Sequence, residues 1–417
     1  MDSDKIRGWC PSGLRPMASG DGLIVRLKIV GGTLGLGLAA AIARWSIAWG
    51  NGQIDLSRCG NLQMRGVTAA TLPHLQEALA QNGLLDDTPT IIASPLAGID
   101  RRASFDSRHI AATLSRRLAD EGALRDLPAK FNFLIDDGGQ LGLGDTKADI
   151  RFEACANGFT AYLDGFEQEY FGPYHPAELP DIAASLALAF LALRRGHEAD
   201  IRRMSHLRPF HGIATIADES GLIYQLSERP ALGPTPASHY LGVQPLDKTA
   251  FLGVGLPFGR IVATELIELT AMIADHGGSA IRLTPWRAVL VPLASVEMAR
   301  DLADRLTGTP MILAADEPRR LIAACPGAPS CIQASTTVRD DATLLAALFA
   351  RSSETEIQLH VSGCGKGCAH PRPAPVTLVG NKGRYDVIGA GGSPSDLPVL
   401  QGLSVAQATD YLRDFFR

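Results

Sequence analysis

The sequence predicts an α+β protein with a pseudo-two-fold duplicated plan, in which two ferredoxin-like lobes are each followed by an α/β lobe. Three observations lead to this fold class. A β-α-β-β-α order of elements opens the chain, the same pattern returns in the second half, and only the second half carries paired cysteines. A chain of 417 residues is long enough to give several lobes full hydrophobic cores.

The first lobe is predicted from alternation of apolar and polar residues and from turn signals. An alternating segment is typical of a strand, and the glycine pair that follows it turns the chain into a helix. The resulting order of elements is that of a ferredoxin-like unit. The predicted elements are a strand at 21–30, a helix from the glycine turn to about residue 50, strands at 53–57 and 61–67, and a helix at 71–82.

The duplication is indicated by a pattern that starts again after an offset of about 227 residues. The segment 248–259 echoes the strand and glycine turn at 22–32. At the same offset the strand at 130–135 falls on 357–362, the segment that leads into Cys364. Such internal similarity predicts two copies of one unit. The predicted domains are 1–85, a ferredoxin-like half-domain; 86–205, an α/β lobe without a cluster; 206–305, a connector and the second half-domain; and 306–417, an α/β lobe that binds a cluster.

The first α/β lobe is predicted to contain strands at the start of 91–102 and at 127–135, 148–154 and 158–163, with helices at 106–118 and 182–195. The apolar stretch 182–193 is too short to span a bilayer and predicts a buried helix. The proline-containing segment 196–245 is predicted to be a connector on the surface.

Charge and composition exclude some classes of function. The formal net charge of −5 and the lack of any Lys/Arg-rich run argue against nucleic-acid binding. A hydrophobic share of 46% and a charged share of 20% are those of an ordinary globular protein. No apolar signal segment opens the chain, so we expect a cytoplasmic protein without a membrane partner.

Two cysteine pairs near the C-terminus carry the strongest chemical signal. Cys325 and Cys331 form a C-x5-C pair, and Cys364 and Cys368 form a C-x3-C pair, with glycine and proline around both. Such turns can aim backbone amides at sulfur, and four thiolates from two loops can hold a [4Fe–4S] cluster. We therefore predict these four as the cluster ligands and exclude Cys10, Cys59 and Cys155.

Other uses of these cysteines are weaker interpretations. Structural zinc normally uses C-x2-4-C spacing, and no C-x2-C pair is present. Disulfides are disfavoured because seven is an odd count and no secretory signal is present. Unrelated buried thiols would leave two glycine-flanked pairs unexplained.

The C-x5-C pair followed by Ser-Gly-Cys-x3-Cys resembles the sulfite and nitrite reductase family. The resemblance covers nearly the whole chain and implies a duplicated fold that holds a tetrapyrrole between its halves. In that family the cluster lies beside a sirohaem, and the last cysteine, here Cys368, bridges the cluster to the haem iron. The resemblance thus implies a [4Fe–4S] cofactor, with sirohaem as the alternative second group.

A tetrapyrrole with eight carboxylates needs a set of cationic and amide donors. The first lobe offers polar residues along neighbouring strands, and the resemblance adds Lys130. The alternative is that these residues form the solvated polar face of an antiparallel sheet. The residues predicted to bind the tetrapyrrole are Arg26, Arg58, Asn61, Gln63, Arg65 and Lys130.

Departures from the reductase pattern indicate which branch of the family this is. Arg26 and Lys130 match two positions at which the reductases bind their small anion. The second lysine of that strand is here Asn132, and the expected arginine falls near Pro89 and Thr90. A pocket that has lost half of its cations holds a small anion poorly.

The segment Cys368-Ala-His-Pro, at the last cysteine, and the segment 7–17 near the start resemble the precorrin-3B synthases. These form the branch of this family that acts in aerobic cobalamin biosynthesis. An acidic residue expected after the last cysteine is replaced by Pro375. In this branch the tetrapyrrole is the substrate and no sirohaem is retained.

This resemblance implies a monooxygenase that converts precorrin-3A to precorrin-3B, with O2 supplying a hydroxyl at C20 and a ring-A acetate closing a γ-lactone. Electrons would come from NADH through a partner reductase. The branch also implies a mononuclear non-haem iron, whose ligands the sequence does not place. His360 and His370 flank the cluster loops and are more often packed residues than ligands. The catalytic residues stay unassigned.

Two other functions stay open at this stage. One is a sirohaem-dependent assimilatory reductase of sulfite or nitrite, which would need the full set of cations. The other is a non-catalytic iron–sulfur electron carrier or tetrapyrrole chaperone, which would show no turnover.

Overall fold

A computed structural model describes residues 11–85, 87–198, 200–226, 235–351, 356–370, 372–389 and 391–416. Cys10, which the sequence excludes as a cluster ligand, lies outside these residues. The described chain forms four mixed or antiparallel sheets flanked by helices. Two five-stranded sheets come from the ferredoxin-like half-domains, and a six-stranded and a five-stranded sheet come from the α/β lobes.

The first half-domain contributes strands β1 to β5 and helices α1 and α2. Antiparallel pairing places β2 next to β5 and β5 next to β4, as the predicted order of elements requires. The bounds are β1 (Met17–Ser19), β2 (Gly22–Leu27), β3 (Thr33–Gly35), α1 (Leu36–Trp49), β4 (Gln53–Leu56), β5 (Leu62–Val67) and α2 (Leu72–Gln81).

The second half-domain repeats this order. The strand Thr249–Gly255 pairs antiparallel with Gly242–Leu246 and with Ala288–Leu293, as β2 pairs with β1 and β5, and a second helix again follows. The bounds are α6 (Ala237–Tyr240), β12 (Gly242–Leu246), β13 (Thr249–Gly255), β14 (Arg260–Val262), α7 (Ala263–Asp275), β15 (Ala280–Leu283), β16 (Ala288–Leu293) and α8 (Val296–Arg305).

The two half-domains exchange short strands, which the sequence did not predict. β3 pairs with β15 of the second sheet, and β14 pairs with β4 of the first. Apolar side chains of both halves, including Leu34, Ile54, Leu252 and Leu266, share one hydrophobic core. Each half therefore completes the sheet of the other, and the pair buries its apolar surface as one unit.

The first α/β lobe has the strand order β11-β10-β9-β8-β7-β6, in which β6, β7 and β8 are parallel and the others antiparallel. The bounds are β6 (Thr90–Ala93), α3 (Ser107–Asp120), β7 (Asn132–Asp136), β8 (Ile150–Cys155), β9 (Gly158–Leu163), β10 (Phe166–Tyr174), α4 (Leu179–Leu193), α5 (Ile213–Ser220) and β11 (Tyr224–Leu226).

The boundary predicted after residue 205 does not match this lobe. Residues predicted as a surface connector form α5 and β11, and Ile213 and Ile216 are buried in the lobe's core. The lobe therefore continues to residue 226. Its helix α4, with the turn before it, is long and apolar enough by composition to cross a membrane. Leu186 and Phe190 of this helix are fully buried in the core, so it is the predicted core helix.

The second α/β lobe has the strand order β17-β18-β19-β20-β21, parallel through β19 and antiparallel after it. Its strand β18 starts 227 residues after β7, which matches the offset seen in the sequence. The duplicated α+β fold is therefore confirmed. The bounds are β17 (Ile322–Ala324), α9 (Val338–Ala346), β18 (Leu359–Ser362), β19 (Val376–Asn381), β20 (Arg384–Ile388), β21 (Leu400–Leu403) and α10 (Val405–Phe415).

Candidate functional site

Both cysteine pairs follow adjacent parallel strands. Cys325 comes directly after β17, and Cys364 comes two residues after β18, which pairs with β17 in register. The carboxyl ends of parallel neighbours meet at one edge of a sheet, so the two loops converge there. The backbone N–H of Cys325 donates to the carbonyl of Val361 and holds the first loop against the second strand.

The environment of Cys325 fits a thiolate ligand. The backbone N–H of Gly363 donates to its Sγ over 3.2 Å. Burial raises the pKa of the Cys325 thiol, and the nearby thiols of Cys331 and Cys364 raise it further. Thiolates crowded in this way need a bound cation to stay ionised together. Cys368, the second cysteine of the C-x3-C pair, is exposed.

Glycines let the two cysteine loops approach closely. Gly327 adopts a left-handed φ of 71°, which a side chain would strain. A Cβ on Gly363 would lie 2.5 Å from the Cβ of Ala334, closer than two carbons can pack. In the part of the chain that the structure describes, no group of three or more His, Cys, Asp or Glu side chains is arranged to hold a metal ion. The close approach of the two loops is the feature that would let thiolates from both reach one group.

The first half-domain holds the Cys325–Cys331 loop from the other side. Ser19 Oγ donates to the carbonyl of Ser330 over 2.6 Å, and the guanidinium of Arg65 donates to the same carbonyl. A Cβ on Gly20 would lie 2.4 Å from the carbonyl oxygen of Pro329, so the two loops are in direct contact.

The sequence predicts that Arg65 binds the tetrapyrrole, whereas in the structure its side chain is committed to protein partners. Its side chain is 2% exposed and forms a bidentate pair with Asp21, with bonds of 2.9 and 2.8 Å. It also lies 3.5 Å from Asp55. The guanidinium is thus enclosed by carboxylates and by the Ser330 carbonyl, and it anchors the cysteine loop instead of facing a ligand.

Asp55 joins three lobes through buried ion pairs. Arg260 of the exchanged strand lies 2.7 Å away and Arg339 of α9 lies 3.0 Å away. Burial alone would raise the pKa of the Asp55 carboxyl, but Arg339, Arg260 and Arg65 outweigh it and hold that pKa far below its usual range. The network fixes the first sheet, the exchanged strand and the cysteine lobe relative to one another.

The other residues predicted to contact the tetrapyrrole lie in different surroundings. Arg26 and Gln63 are direct cross-strand neighbours, and the Gln63 amide oxygen accepts from Arg26 once the amide is turned. Asn61 is buried and donates to Thr90 Oγ1 over 3.0 Å. Lys130 is exposed before β7, and its carbonyl accepts from Arg203. Arg58 lies at the second cysteine loop, where it donates to the carbonyl of Ala369.

Arg58 and Arg287 meet at the last cysteine. Both donate to the carbonyl of Ala369, over 2.9 and 3.3 Å respectively. Burial lowers the pKa of Arg287 to about 9, and the charge of Arg58 adds to that effect. His360 and His370 lie beside them with their rings 5.8 Å apart. The sequence analysis did not predict a role for Arg287. The signal that could have found it is the repeat offset, which aligns Arg287 with Gly60 in the turn after the second strand.

Known proteins resemble this chain along most of its length. Residues 15–82 match the family model described as the nitrite/sulfite reductase ferredoxin-like half domain. A precorrin-3B synthase from a Sinorhizobium species is 31% identical over 410 residues, covering 96% of this chain and 87% of the relative. The chain belongs to the nitrite and sulfite reductase family.

Reductases of this family are more distant relatives. A ferredoxin–nitrite reductase from Synechococcus elongatus is 26% identical over 418 residues, covering 91% of this chain and 80% of that protein. The solved structure of the Mycobacterium tuberculosis NirA protein superposes with a TM-score of 0.74 at 20% identity, covering 94% of this chain and 79% of that one. The chain therefore has the fold of the nitrite and sulfite reductase family, as the sequence predicted.

Proposed function

We propose that this protein is a precorrin-3B synthase. The observation that carries the proposal is the 31% identity to the Sinorhizobium precorrin-3B synthase across both halves of the chain, against 26% for the nitrite reductase. The reaction is a monooxygenation of precorrin-3A. One oxygen atom of O2 enters as a hydroxyl at C20, the other leaves as water with two electrons and two protons, and a ring-A acetate closes a γ-lactone.

The anion pocket supports this branch over the reductases. At the position of the reductases' second lysine, Asn132 is buried, and its side chain donates to the carbonyl of Lys147 over 3.3 Å. Thr90, near which the expected arginine falls, accepts from Asn61. Neutral side chains committed to protein partners give little stabilisation to sulfite or nitrite.

We assign the [4Fe–4S] cluster to Cys325, Cys331, Cys364 and Cys368. When bound, such a cluster supplies one-electron transfer. The converging loops, the amide of Gly363 on sulfur and the crowded thiols support this assignment. The protein's own part is to hold the loops through Arg65 and Ser19 and to keep Cys325 out of solvent.

The other reactants follow from the same branch. NADH is the electron source, reached through a partner reductase in the cytoplasm. A mononuclear non-haem iron is implied as well, but no set of three suitable side chains is present among the described residues, so we assign it no ligands. Tetrapyrrole binding by Arg26, Arg58, Asn61, Gln63 and Lys130 is part of the proposal.

The test is turnover of precorrin-3A by anaerobically purified protein after addition of O2, NADH and a reductase. Mass spectrometry should detect a product that has gained one oxygen atom, labelled when 18O2 is used. The visible spectrum should lack intense Soret and red haem bands. Sirohaem bands together with reduction of sulfite or nitrite would establish the alternative, a sirohaem-dependent assimilatory reductase. A cluster spectrum with neither activity would indicate an electron carrier.

A further inference from the structure

Four nitrogen-bearing side chains lie together next to Cys368: Arg58 and Arg287 donate to the carbonyl of Ala369, and the rings of His360 and His370 lie beside them, 5.8 Å apart. His360, on β18, has no exposed surface, and neither of its ring nitrogens has a hydrogen-bond partner. His370 is 9% exposed, and its Nδ1 is also unpartnered. Buried polar groups without partners are rare and costly in folded proteins, so these three nitrogens point to a missing ligand.

The chemistry of the group fits an anion. Arg58 and Arg287 add two guanidiniums, and neither forms a salt bridge with a carboxylate of the described residues. The carboxylate that acts on Arg287 is Asp55, which is already paired with three other arginines. Burial, together with His370 and the two arginines, lowers the pKa of His360 to about 4, so its ring is a neutral N–H donor near pH 7.

The backbone at Arg287 gives an independent sign of function. Arg287 adopts a φ of 58°, a left-handed conformation that L side chains rarely take. At the repeat offset the corresponding residue of the first half is Gly60, with a φ of 68°. The turn of the first half thus has glycine, which suits its left-handed backbone. The matching turn of the second half accepts backbone strain and places the guanidinium of Arg287 beside His360. Strain of this kind clusters at ligand sites.

We infer that His360, His370, Arg58 and Arg287 form a carboxylate-binding pocket that holds one acidic side chain of the tetrapyrrole substrate beside Cys368. The inference rests on the proposed function for the identity of the ligand. A carboxylate is a stronger acceptor than a peptide carbonyl, so the two guanidiniums transfer from Ala369 to the substrate. This fixes one edge of the macrocycle against the loop of the last cluster ligand.

The test measures affinity and stability together in the cluster-loaded protein under anaerobic conditions. Uroporphyrin III, a stable tetrapyrrole with eight carboxylates, is titrated by fluorescence, and sulfite is titrated separately by calorimetry. Arg287→Gly and His360→Leu should each weaken uroporphyrin binding by roughly ten- to a hundredfold. His360→Leu should not lower the thermal midpoint, because it removes an unpaired buried polar group. In Arg287→Gly the relief of backbone strain opposes the loss of the hydrogen bond to Ala369, so only the change in affinity is diagnostic for that variant.

Two variants control for these changes. Lys382→Gly also removes a cation at a left-handed position, with a φ of 50°, but on an exposed hairpin. It should leave affinity unchanged. His276→Leu removes a histidine whose Nδ1 pairs with the Met272 carbonyl, and it should lower the thermal midpoint without changing affinity.

The outcomes separate the two proposals. Uroporphyrin binding by the wild type that stays unchanged in both pocket variants would overturn the pocket and leave the proposed function standing. A lower thermal midpoint in His360→Leu with unchanged affinity would also overturn it, by giving His360 a packing role. Wild-type protein that binds sulfite but no uroporphyrin would overturn the proposed function and, with it, the tetrapyrrole as occupant.

Discussion

Removal of Arg65 should lower the cluster content of the protein more than it lowers the affinity for the tetrapyrrole. Arg65→Met leaves Asp21 without its bidentate partner. The side chain of Asp21 is only 9% exposed, so its charge would stay largely buried. It also releases the Ser330 carbonyl, which lies inside the loop between Cys325 and Cys331.

The size of the effect follows from burial. Breaking a buried ion pair by removing one partner costs about 3–5 kcal/mol, because the remaining charge stays buried. That is a large fraction of the roughly 5–15 kcal/mol that stabilises a typical domain. The cysteine loop carries the loss directly, so iron and sulfide content should fall together with the thermal midpoint. Arg65→Lys keeps the charge but loses the planar fork, and it should show a smaller loss.

A double variant isolates the cause. Adding Asp21→Asn to Arg65→Met removes the orphaned charge and should recover part of the thermal midpoint. Iron and sulfide assays, thermal unfolding under anaerobic conditions and uroporphyrin affinity are measured on all variants. Full cluster content in Arg65→Met, combined with a tenfold loss of uroporphyrin affinity, would refute this reasoning and return Arg65 to the tetrapyrrole contacts.

Three further predictions test the cluster loops and the first α/β lobe. Gly363→Ala should lower iron content severalfold, because the added Cβ would meet the side chain of Ala334. Gly365→Ala should leave iron content unchanged, because the nearest atom to its added Cβ is 3.5 Å away. Equal iron content in the two variants would contradict the packing argument. Burial raises the pKa of Asp149 to about 6, so wild-type stability should fall as pH rises from about 4 to about 6, by about 3 kcal/mol. Asp149→Asn should remove that part of the pH dependence in urea titrations, and parallel curves for the two proteins would exclude it. Serine substitution at each predicted ligand should abolish cluster content in iron and sulfide assays, and the four ligands are Cys325, Cys331, Cys364 and Cys368. Serine at Cys59 or Cys155 should leave cluster content unchanged. A full cluster in any of the first four variants would withdraw that cysteine from the ligand assignment.

Local elements were predicted well wherever periodicity and turn residues agreed. Strands β4 and β5 and helices α1 and α2 lie within a few residues of their predicted bounds. The structure differs from the prediction between residues 206 and 226, where mixed polarity conceals α5 and β11. Ile213 and Ile216 become core residues only because α4 and the sheet lie beneath them. A short amphipathic segment does not reveal in sequence which surface it will cover.

The sequence by itself determined the duplication, the four paired cysteines and the family, because each is a matter of spacing along the chain. Tertiary structure alone decided what each polar residue of the first sheet does. Alternation showed that Gln63 and Arg65 leave the strand on one face, but not that a cysteine loop covers Arg65 while Gln63 pairs with Arg26. Tertiary structure also brought Arg58 to Arg287 and to His360, each more than two hundred residues further along the chain. Charge pairing and burial depend on which surfaces meet, and a one-dimensional pattern does not contain that information.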